Sequence, residues 1–206
     1  MSAYTEHGFA GVAENLGSEL GSCPDFIAER LLKEAFIRFC HDTESYRKSY
    51  SFYTEAAKSR YSVTDLENCY ILKADFLKIK NILLYPISVQ EASEMATSHP
   101  SSYYTDSECL VLSPIPAVGN IKVSGELILV PTLSATGIPS DLYGRYWYTI
   151  RAQLFYRIFS LPDCHWTDPE RAMFHHRNYL ADVTKIKYEA KKHHQHVHRT
   201  VRYRGI

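Results

Sequence analysis

The sequence lacks the short motifs by which many catalytic and nucleotide-binding sites are recognised. It contains neither a G-x-x-x-x-G-K-[ST] loop nor a G-x-G-x-x-G turn, the patterns that arrange backbone N–H groups around phosphates. It also lacks a G-x-S-x-G elbow, and the pairs Cys40-His41 and Cys164-His165 are only neighbours along the chain, which says nothing about pairing in space. We therefore predict no catalytic residue, no cofactor and no enzymatic activity.

The sequence also lacks the cysteine spacings typical of a disulfide framework and has no long apolar run. The five cysteines are widely spaced with no C-x-x-C pair, and no signal peptide precedes them, so we expect reduced, intracellular thiols. The longest apolar candidate, around residues 79–87, is interrupted by Lys80, Asn81 and Pro86 and falls short of the roughly eighteen residues that a membrane span needs. No membrane partner is predicted.

The chain has no net charge, so no overall field favours nucleic acid or a membrane surface. The charge is nevertheless uneven: residues 1–45 carry eight acids and three bases, whereas residues 185–206 carry seven bases and one acid. This asymmetry suits a subunit that binds copies of itself or a partner head to tail, although solvated faces produce the same imbalance.

A helical hairpin is the clearest structural pattern, and it occupies residues 137–192. Pro139 and Ser140 can open its first helix, Pro162 ends it, and apolar residues recur between them at the three- and four-residue steps of one buried face. These residues are Leu142, Tyr146, Ile150, Leu154, Ile158 and Leu161. Gly144 is unfavourable inside a helix, so we expect a close helix crossing or a neighbouring backbone there.

The second helix of the hairpin has two possible starts. Either Asp168 caps it with Pro169 at the first helical position, or Thr167 caps it and Glu170 completes a capping box. The residues predicted on its buried side are Met173, His176, Leu180, Val183 and Ile186. One of His175 and His176 is expected in the core or at an interface rather than as a metal ligand.

The N-terminal half divides into an arm, a helix and a β-rich block. Residues 1–22 are rich in glycine without a sustained period and are predicted to form an arm that is flexible or ordered by a partner. A helix follows from about Ser22 or Asp25 to about Asp42, and the period then changes to two. Strands are predicted at residues 46–53, 69–74, 77–85, 108–112 and 121–130, with a short helix over 88–96 that has a Ser88–Glu91 capping box.

The fold class predicted from this order is α+β. The expected architecture is a helical bundle, formed by the N-terminal helix and the C-terminal hairpin, with an inserted antiparallel β domain and an extended C-terminal tail. The predicted boundaries are 1–22 for the arm, 23–45 with 137–192 for the helical scaffold, 46–136 for the inserted domain and 193–206 for the tail.

The basic tail permits several readings. His193, His194, His196 and His198 could chelate a divalent ion, but no acidic residues are available to orient them, so no metal is predicted. Lysines, arginines and Tyr203 could contact nucleic acid through phosphate pairing and stacking, which makes a nucleic-acid-binding module the alternative function. The alternation over residues 196–203 equally suits addition of a strand to a partner's sheet.

Read as a whole, the chain resembles the head-to-tail adaptor, or connector, proteins of tailed bacteriophages. The resemblance covers roughly residues 25–192, and it rests on the order and spacing of several segments rather than on one motif. These are D-F-I-A-E-R-L-L-K-E-A-F-I-R-F-C-H-D-T-E, P-S-S-Y-Y-T, L-V-L-S-P-I-P, E-L-I-L-V-P and I-P-S-D-L-Y-G-R-Y followed by L-P-D-C-H-W-T-D-P-E-R-A-M-F-H-H-R-N-Y.

The resemblance implies a structural virion protein of the neck. Such subunits form a dodecameric ring beneath the portal protein, extend the channel through which genomic DNA passes, and receive neck, stopper, tube or nozzle proteins on the tail side. The expected location is the head–tail interface of the virion, and the host cytoplasm during assembly. The acidic N-terminal arm is longer than the family pattern and has no implied role.

The resemblance also implies two sets of interaction residues. The tail is the expected portal-binding element, and its candidate residues are His193, His194, His196, Val197, His198, Arg199, Val201, Arg202, Tyr203 and Arg204. The outer faces of the hairpin are the expected contacts between copies in the ring, with Gly144, Arg145, Arg151 and Arg157 as candidates.

Overall fold

The structure is a computed structural model that describes residues 6–194 except 18, 21, 64, 65, 67 and 93–97, and only the backbone of 191–194. The described residues form five helices: α1 (Phe9–Asn15), α2 (Asp25–Thr43), α3 (Val89–Ala92), α4 (Ser140–Phe159) and α5 (Pro169–His194). They also form ten strands: β1 (Glu6–Gly8), β2 (Arg47–Tyr53), β3 (Arg60–Ser62), β4 (Cys69–Ile79), β5 (Ile82–Leu83), β6 (Tyr85–Pro86), β7 (Ser102–Asp106), β8 (Cys109–Ser113), β9 (Lys122–Pro131) and β10 (Gly137–Pro139).

The predicted architecture of a helical bundle with an inserted antiparallel β domain is wrong. The chain is α+β, but its strands form three sheets, ordered β1-β10, β2-β9-β4-β5 and β3-β8-β7-β6. The β1–β10 pair lies among the helices rather than in the central block, and β6 pairs with β7 in parallel. Strands of two or three residues are too short to show a period of two, so the sequence pattern did not reveal them.

The N-terminal segment is not the flexible arm that its glycines suggested. Within the described residues, β1 pairs with β10, and α1 buries Phe9, Val12 and Ala13 against α2, where the Phe9 and Phe36 ring centroids lie 6.2 Å apart. Leu16 is buried beyond the helix. Phe9, Val12, Ala13 and Leu16 follow a helical i, i+3, i+4, i+7 spacing, so the signal was present over a stretch too short to be recognised.

Helix α2 confirms the helix predicted after the arm. Its buried face includes Leu31, Leu32, Ala35, Phe36 and Phe39. The helix ends where Glu44 adopts a left-handed conformation with φ of 57° and donates its backbone N–H to the Cys40 carbonyl over 3.0 Å. This closure directs the chain into β2, because the residue at the end of the helix reverses the backbone.

The hairpin confirms the predicted helix starts and corrects the second helix's buried face. Helix α4 begins at Ser140, and α5 begins at Pro169 after Asp168, whose carboxylate accepts the Arg171 N–H over 3.0 Å, so Asp168 rather than Thr167 provides the cap. On α5, however, Met173 and Leu180 are exposed. The buried side is formed by Ala172, Tyr179, Val183 and Ile186.

The strands of the β-rich block differ from the predicted strands in their lengths and boundaries. Strand β4 is continuous through Ile79, and the chain reverses at Lys80 and Asn81, which have φ of 47° and 69°, before β5 begins at Ile82. Two consecutive left-handed residues form a tight hairpin turn, and without glycine this turn was not predicted. The predicted cap of α3 is confirmed at 88–91, where the Ser88 N–H donates to Glu91 over 2.7 Å; residues 93–97 lie outside the described part.

The buried apolar side chains of the described residues form two hydrophobic clusters. One joins α1, α2, β10, α4 and α5, and the other joins the strands of the central block. Tyr46, just before β2, packs against both clusters. The predicted domain boundaries stay a prediction, apart from the arm corrected above and the tail, which α5 enters as far as His194.

Candidate functional site

Helix α4 lies between α2 and α5 and presents different residues to two sides of the hairpin. Gln153, Tyr156 and Arg157 line a groove on the α2 side, whereas Tyr148, Arg151 and Phe155 line a shallower groove on the other side. Tyr156 and Arg157 lie three and four residues after Gln153, Arg151 and Phe155 follow Tyr148 at steps of three and four, and the two sets are offset by well over a quarter turn on a 3.6-residue helix. The hairpin therefore has two distinct surfaces on opposite sides.

The first surface, which we call the α2 groove, is a cleft of about 1000 Å³ between α2, α4 and α5. Phe26 and Leu180 stand at its margin with 73% and 50% of their surface exposed. Its other apolar or aromatic walls are Ile27, Leu31, Tyr156, Leu161 and Tyr179. The rest of its lining is polar or charged and consists mainly of Arg30, Glu34, Arg38, Asp42, Gln153, Arg157, Ser160 and His176.

The charged groups of the α2 groove are paired with one another. Glu34 accepts hydrogen bonds from Arg30 over 3.3 Å and from Arg157 over 2.5 Å, and Asp42 accepts from Arg38 over 2.7 Å. Three guanidinium groups thus face two carboxylates, which leaves the groove close to neutral with a slight positive excess. Most of these pairs lie at the surface, where each contributes little to stability.

Tyr179 is the buried end of this network. Its hydroxyl donates to the Asp42 carboxylate over 2.9 Å while its ring lies in the helical core. Burial, followed by the adjacent Asp42 carboxylate, raises the pKa of Tyr179 far above the usual tyrosine range. The side chain is therefore a neutral donor that fixes α5 to the end of α2.

Polar atoms without a hydrogen-bond partner collect beside the same groove. Among the described residues, six buried side-chain polar atoms lack a partner, and three belong to groove residues: Gln153 Oε1, Arg157 Nε and His176 Nδ1. A buried polar atom left unpaired costs about 1–3 kcal/mol, so such atoms are normally satisfied by water or by a binding partner. Side-chain repacking in this groove would bring both donors and acceptors to an incoming group.

The second surface, which we call the aromatic face, is formed by Tyr148 and Phe174. Tyr148 and Phe174 are 78% and 61% exposed, and the shallow groove between their helices is bordered by Arg151 and Asp182. Tyr148 and Phe174 lie on the polar sides of α4 and α5. An aromatic residue outside the apolar stripe is the sequence signal that would have identified this face.

His175 packs into the hairpin beneath the aromatic face. Its ring lies 4.9 Å from the Phe155 centroid in an edge-on arrangement and 5.3 Å from that of Phe174. Burial, then the positive charges of Arg171 and Arg151, lower the pKa of His175. The imidazole is therefore neutral near neutral pH and acts as a packing residue, which is consistent with the expectation that one of His175 and His176 lies in the core or at an interface.

The predicted interface residues fall on both surfaces. Gly144 and Arg145 are exposed on the Tyr148 side of α4, Arg151 pairs there with Glu19 of the N-terminal segment, and Arg157 lies in the α2 groove. A close helix crossing at Gly144 is not found, because a Cβ there would meet nothing within 4 Å. Contact between copies at these four residues stays a prediction.

The predicted portal-binding residues lie almost wholly outside the described part of the chain. Only the backbone of His193 and His194 is described, and it continues α5, so the prediction of an extended conformation is wrong for these two residues. Just before them, Lys187, Tyr188 and Glu189 are exposed. The last turns of α5 thus leave the core on the way to the basic segment.

Within the described residues no three histidine, cysteine or acidic side chains are grouped as a metal site would need, and all five cysteines are free. Burial raises the pKa of Cys40 well above its ordinary value, so its thiol stays protonated. None of the described helices is long and apolar enough to span a bilayer.

Comparison with known proteins adds no assignment. No protein-family model matches the chain, and no curated protein is significantly similar to it in sequence.

Proposed function

We propose that this chain is a structural assembly protein, a head-to-tail adaptor subunit that forms a ring beneath the portal of a tailed bacteriophage. The proposal begins with the sequence resemblance over residues 25–192. The structural observation that carries it furthest is the exposure of apolar side chains on two opposite sides of the α4–α5 hairpin. A ring of identical subunits needs two different, matching surfaces on each copy.

In this proposal the helical part forms the ring wall, and α5 directs the tail toward the portal. Helix α5 has 26 residues and a length of about 39 Å, and it buries Ile186 before its exposed turns lead to the basic tail. Basic residues at the end of a projecting helix provide charge for encounter and register with a partner ring. Genomic DNA passes through the lumen of the assembled ring.

The central β block supplies the surface for tail-side proteins. Its edge strands β5 and β6 expose Ile82, Leu83 and Tyr85, and Val89 is exposed just beyond them. Contiguous exposed apolar side chains on sheet edges are typical of interaction surfaces rather than of free monomer surface. These residues therefore lie where a neck, stopper, tube or nozzle protein would dock.

Deletion of residues 193–206 tests the proposal. The full chain should co-sediment with portal rings of the same virus, and the truncated chain should lose this binding while keeping its helical circular dichroism spectrum. A chain with the same tail composition in scrambled order is the matched control, because it separates specific recognition from simple charge attraction. Undiminished co-sedimentation of the truncated chain would contradict the proposed role of the tail in binding the portal.

A second measurement distinguishes the nucleic-acid-binding alternative. If the tail acts on nucleic acid, the isolated tail peptide should retain duplex affinity, and the logarithm of that affinity should fall steeply with salt as phosphate contacts release counterions. The adaptor proposal expects no such retained affinity in the peptide and expects the protein in purified virions.

A further inference from the structure

We propose that the aromatic face of one copy seats in the α2 groove of the next copy. This inference rests on the proposed ring and specifies its contact surfaces. Tyr148 and Phe174 of one subunit would enter the cleft whose margin is formed by Phe26 and Leu180 of its neighbour.

The placement of the two surfaces favours a head-to-tail contact. The groove residues and the aromatic residues lie on opposite sides of the same two helices, so one copy cannot use both surfaces on a single partner. A contact between unlike surfaces repeats from copy to copy and produces a closed ring or an open filament. In this contact, Arg157 lies on the groove side of the interface between copies. Gly144 and Arg145, beside Tyr148, lie on the other side of that interface.

The chemistry of the two surfaces is complementary. Tyr148 brings a large ring for the apolar margin and a hydroxyl that both donates and accepts a hydrogen bond. Gln153 Oε1 can accept such a bond and Arg157 Nε can donate one, and neither has a partner among the described residues. Repacking of these side chains around the incoming phenol would satisfy both, while Phe174 covers apolar surface near Leu180.

The exposed area indicates that a single contact is weak. With about 150–250 Å² for a whole aromatic side chain, Tyr148 and Phe174 together expose roughly 300 Å², and Phe26 and Leu180 expose a similar area. These anchors supply about half of the roughly 1,200 Å² buried in a stable interface, so pairs of free copies should dissociate readily. In a ring each copy makes two such contacts, and binding to the portal further stabilises the ring.

Cross-linking tests this assignment in the full chain. Cys164 lines the α2 groove and, with Cys69, is one of the two cysteines that are not buried, and Tyr148→Cys adds a thiol on the opposite face of every copy. With a short bismaleimide at high protein concentration, we expect a ladder of dimers, trimers and larger species, joined between position 148 of one copy and Cys164 of the next in peptide maps. The ladder should strengthen as the protein concentration rises.

Tyr53→Cys is the matched control because Tyr53 is 59% exposed but belongs to the β block. A ladder of equal intensity in this variant would show random collision and overturn the proposal. Dimers that do not extend, joined at position 148 in both copies, would also overturn it, because they indicate a symmetric contact.

Sedimentation velocity provides a second readout that requires no cross-linker. Y148S and F174S should each weaken self-association at least tenfold, whereas Y53S should leave it unchanged. A wild-type chain that stays monomeric up to millimolar concentration, or equal effects of all three substitutions, would overturn the proposed contact. Circular dichroism spectra identical to the wild type establish that the variants are folded.

The outcomes separate this contact from the proposed function. If the position 148–Cys164 ladder is absent while the full chain binds portal rings, the contact is wrong and the adaptor function stands. If the ladder forms while portal binding is absent, the contact stands and the adaptor function is wrong.

Discussion

Removing the hydroxyl of Tyr179 should measurably weaken the attachment of α5 to α2. The hydroxyl donates to the Asp42 carboxylate over 2.9 Å in a partly buried hydrogen bond, and the ring lies in the helical core. A hydrogen bond to a charged acceptor contributes about 1.5–3 kcal/mol. Asp42 keeps its contact with Arg38, and phenylalanine preserves the ring, so Tyr179→Phe should cost about 1.5–2 kcal/mol, at the lower end of that range.

Urea unfolding followed by circular dichroism is the assay. With a denaturant slope of about 2–3 kcal/mol/M, the midpoint of Tyr179→Phe should fall by roughly 0.5–1 M, and the slope should not change. Tyr156→Phe is the matched control, because Tyr156 lines the same groove, stacks on His176 at 4.3 Å and makes no hydroxyl hydrogen bond with the described residues. Its stability should stay within about 0.5 kcal/mol of wild type. Equal midpoints for Tyr179→Phe and wild type would refute the anchoring role.

Two further predictions concern the space around two glycines and the stability of the protein at alkaline pH. Gly144→Ala should raise the free energy of unfolding by about 0.5–1 kcal/mol, because the site is open and helical, whereas Gly137→Ala should lower it by about 1–3 kcal/mol, because the new Cβ would lie 2.7 Å from the His7 carbonyl oxygen. Thermal unfolding of both variants checks the opposite signs, and shifts of the same sign would contradict them. Burial raises the pKa of Tyr179 and of Tyr46, so the unfolded chain releases protons above about pH 10 that the folded chain retains. Stability should therefore fall as pH rises through that region, and Tyr179→Phe should flatten this fall in urea titrations.

Local signals in the sequence were sufficient where an element was long or had a specific cap. Helix α2 and both hairpin helices follow sustained apolar periods, and Asp168-Pro169 marks the start of α5 through a cap that the structure confirms. The Ser88–Glu91 capping box is likewise a local interaction that neighbouring residues complete. Such features require no knowledge of distant segments.

Pairing between distant segments was not predictable from the same signals. Residues 137–139 pair with residues 6–8 across more than half of the sequence, and Gly137 is required there by a backbone approach that no local pattern encodes. The buried side of α5 was predicted through Met173 and Leu180, whereas Ala172 and Tyr179 occupy it. Ala172 is small enough to allow close helix packing, and the Tyr179 hydroxyl donates to a carboxylate on α2. Both interactions depend on the neighbouring helix.

The candidate surfaces likewise depended partly on signals in the sequence and partly on the tertiary structure. Residue order alone established the helical hairpin, the basic end that follows it and the resemblance on which the adaptor hypothesis rests. Only the tertiary structure placed Phe26 and Leu180 on one cleft, Tyr148 and Phe174 on the opposite side, and the unpaired polar atoms beside that cleft. The physical reason is that a helical period identifies which residues are apolar together, whereas exposure and concavity depend on which other helices pack against each side.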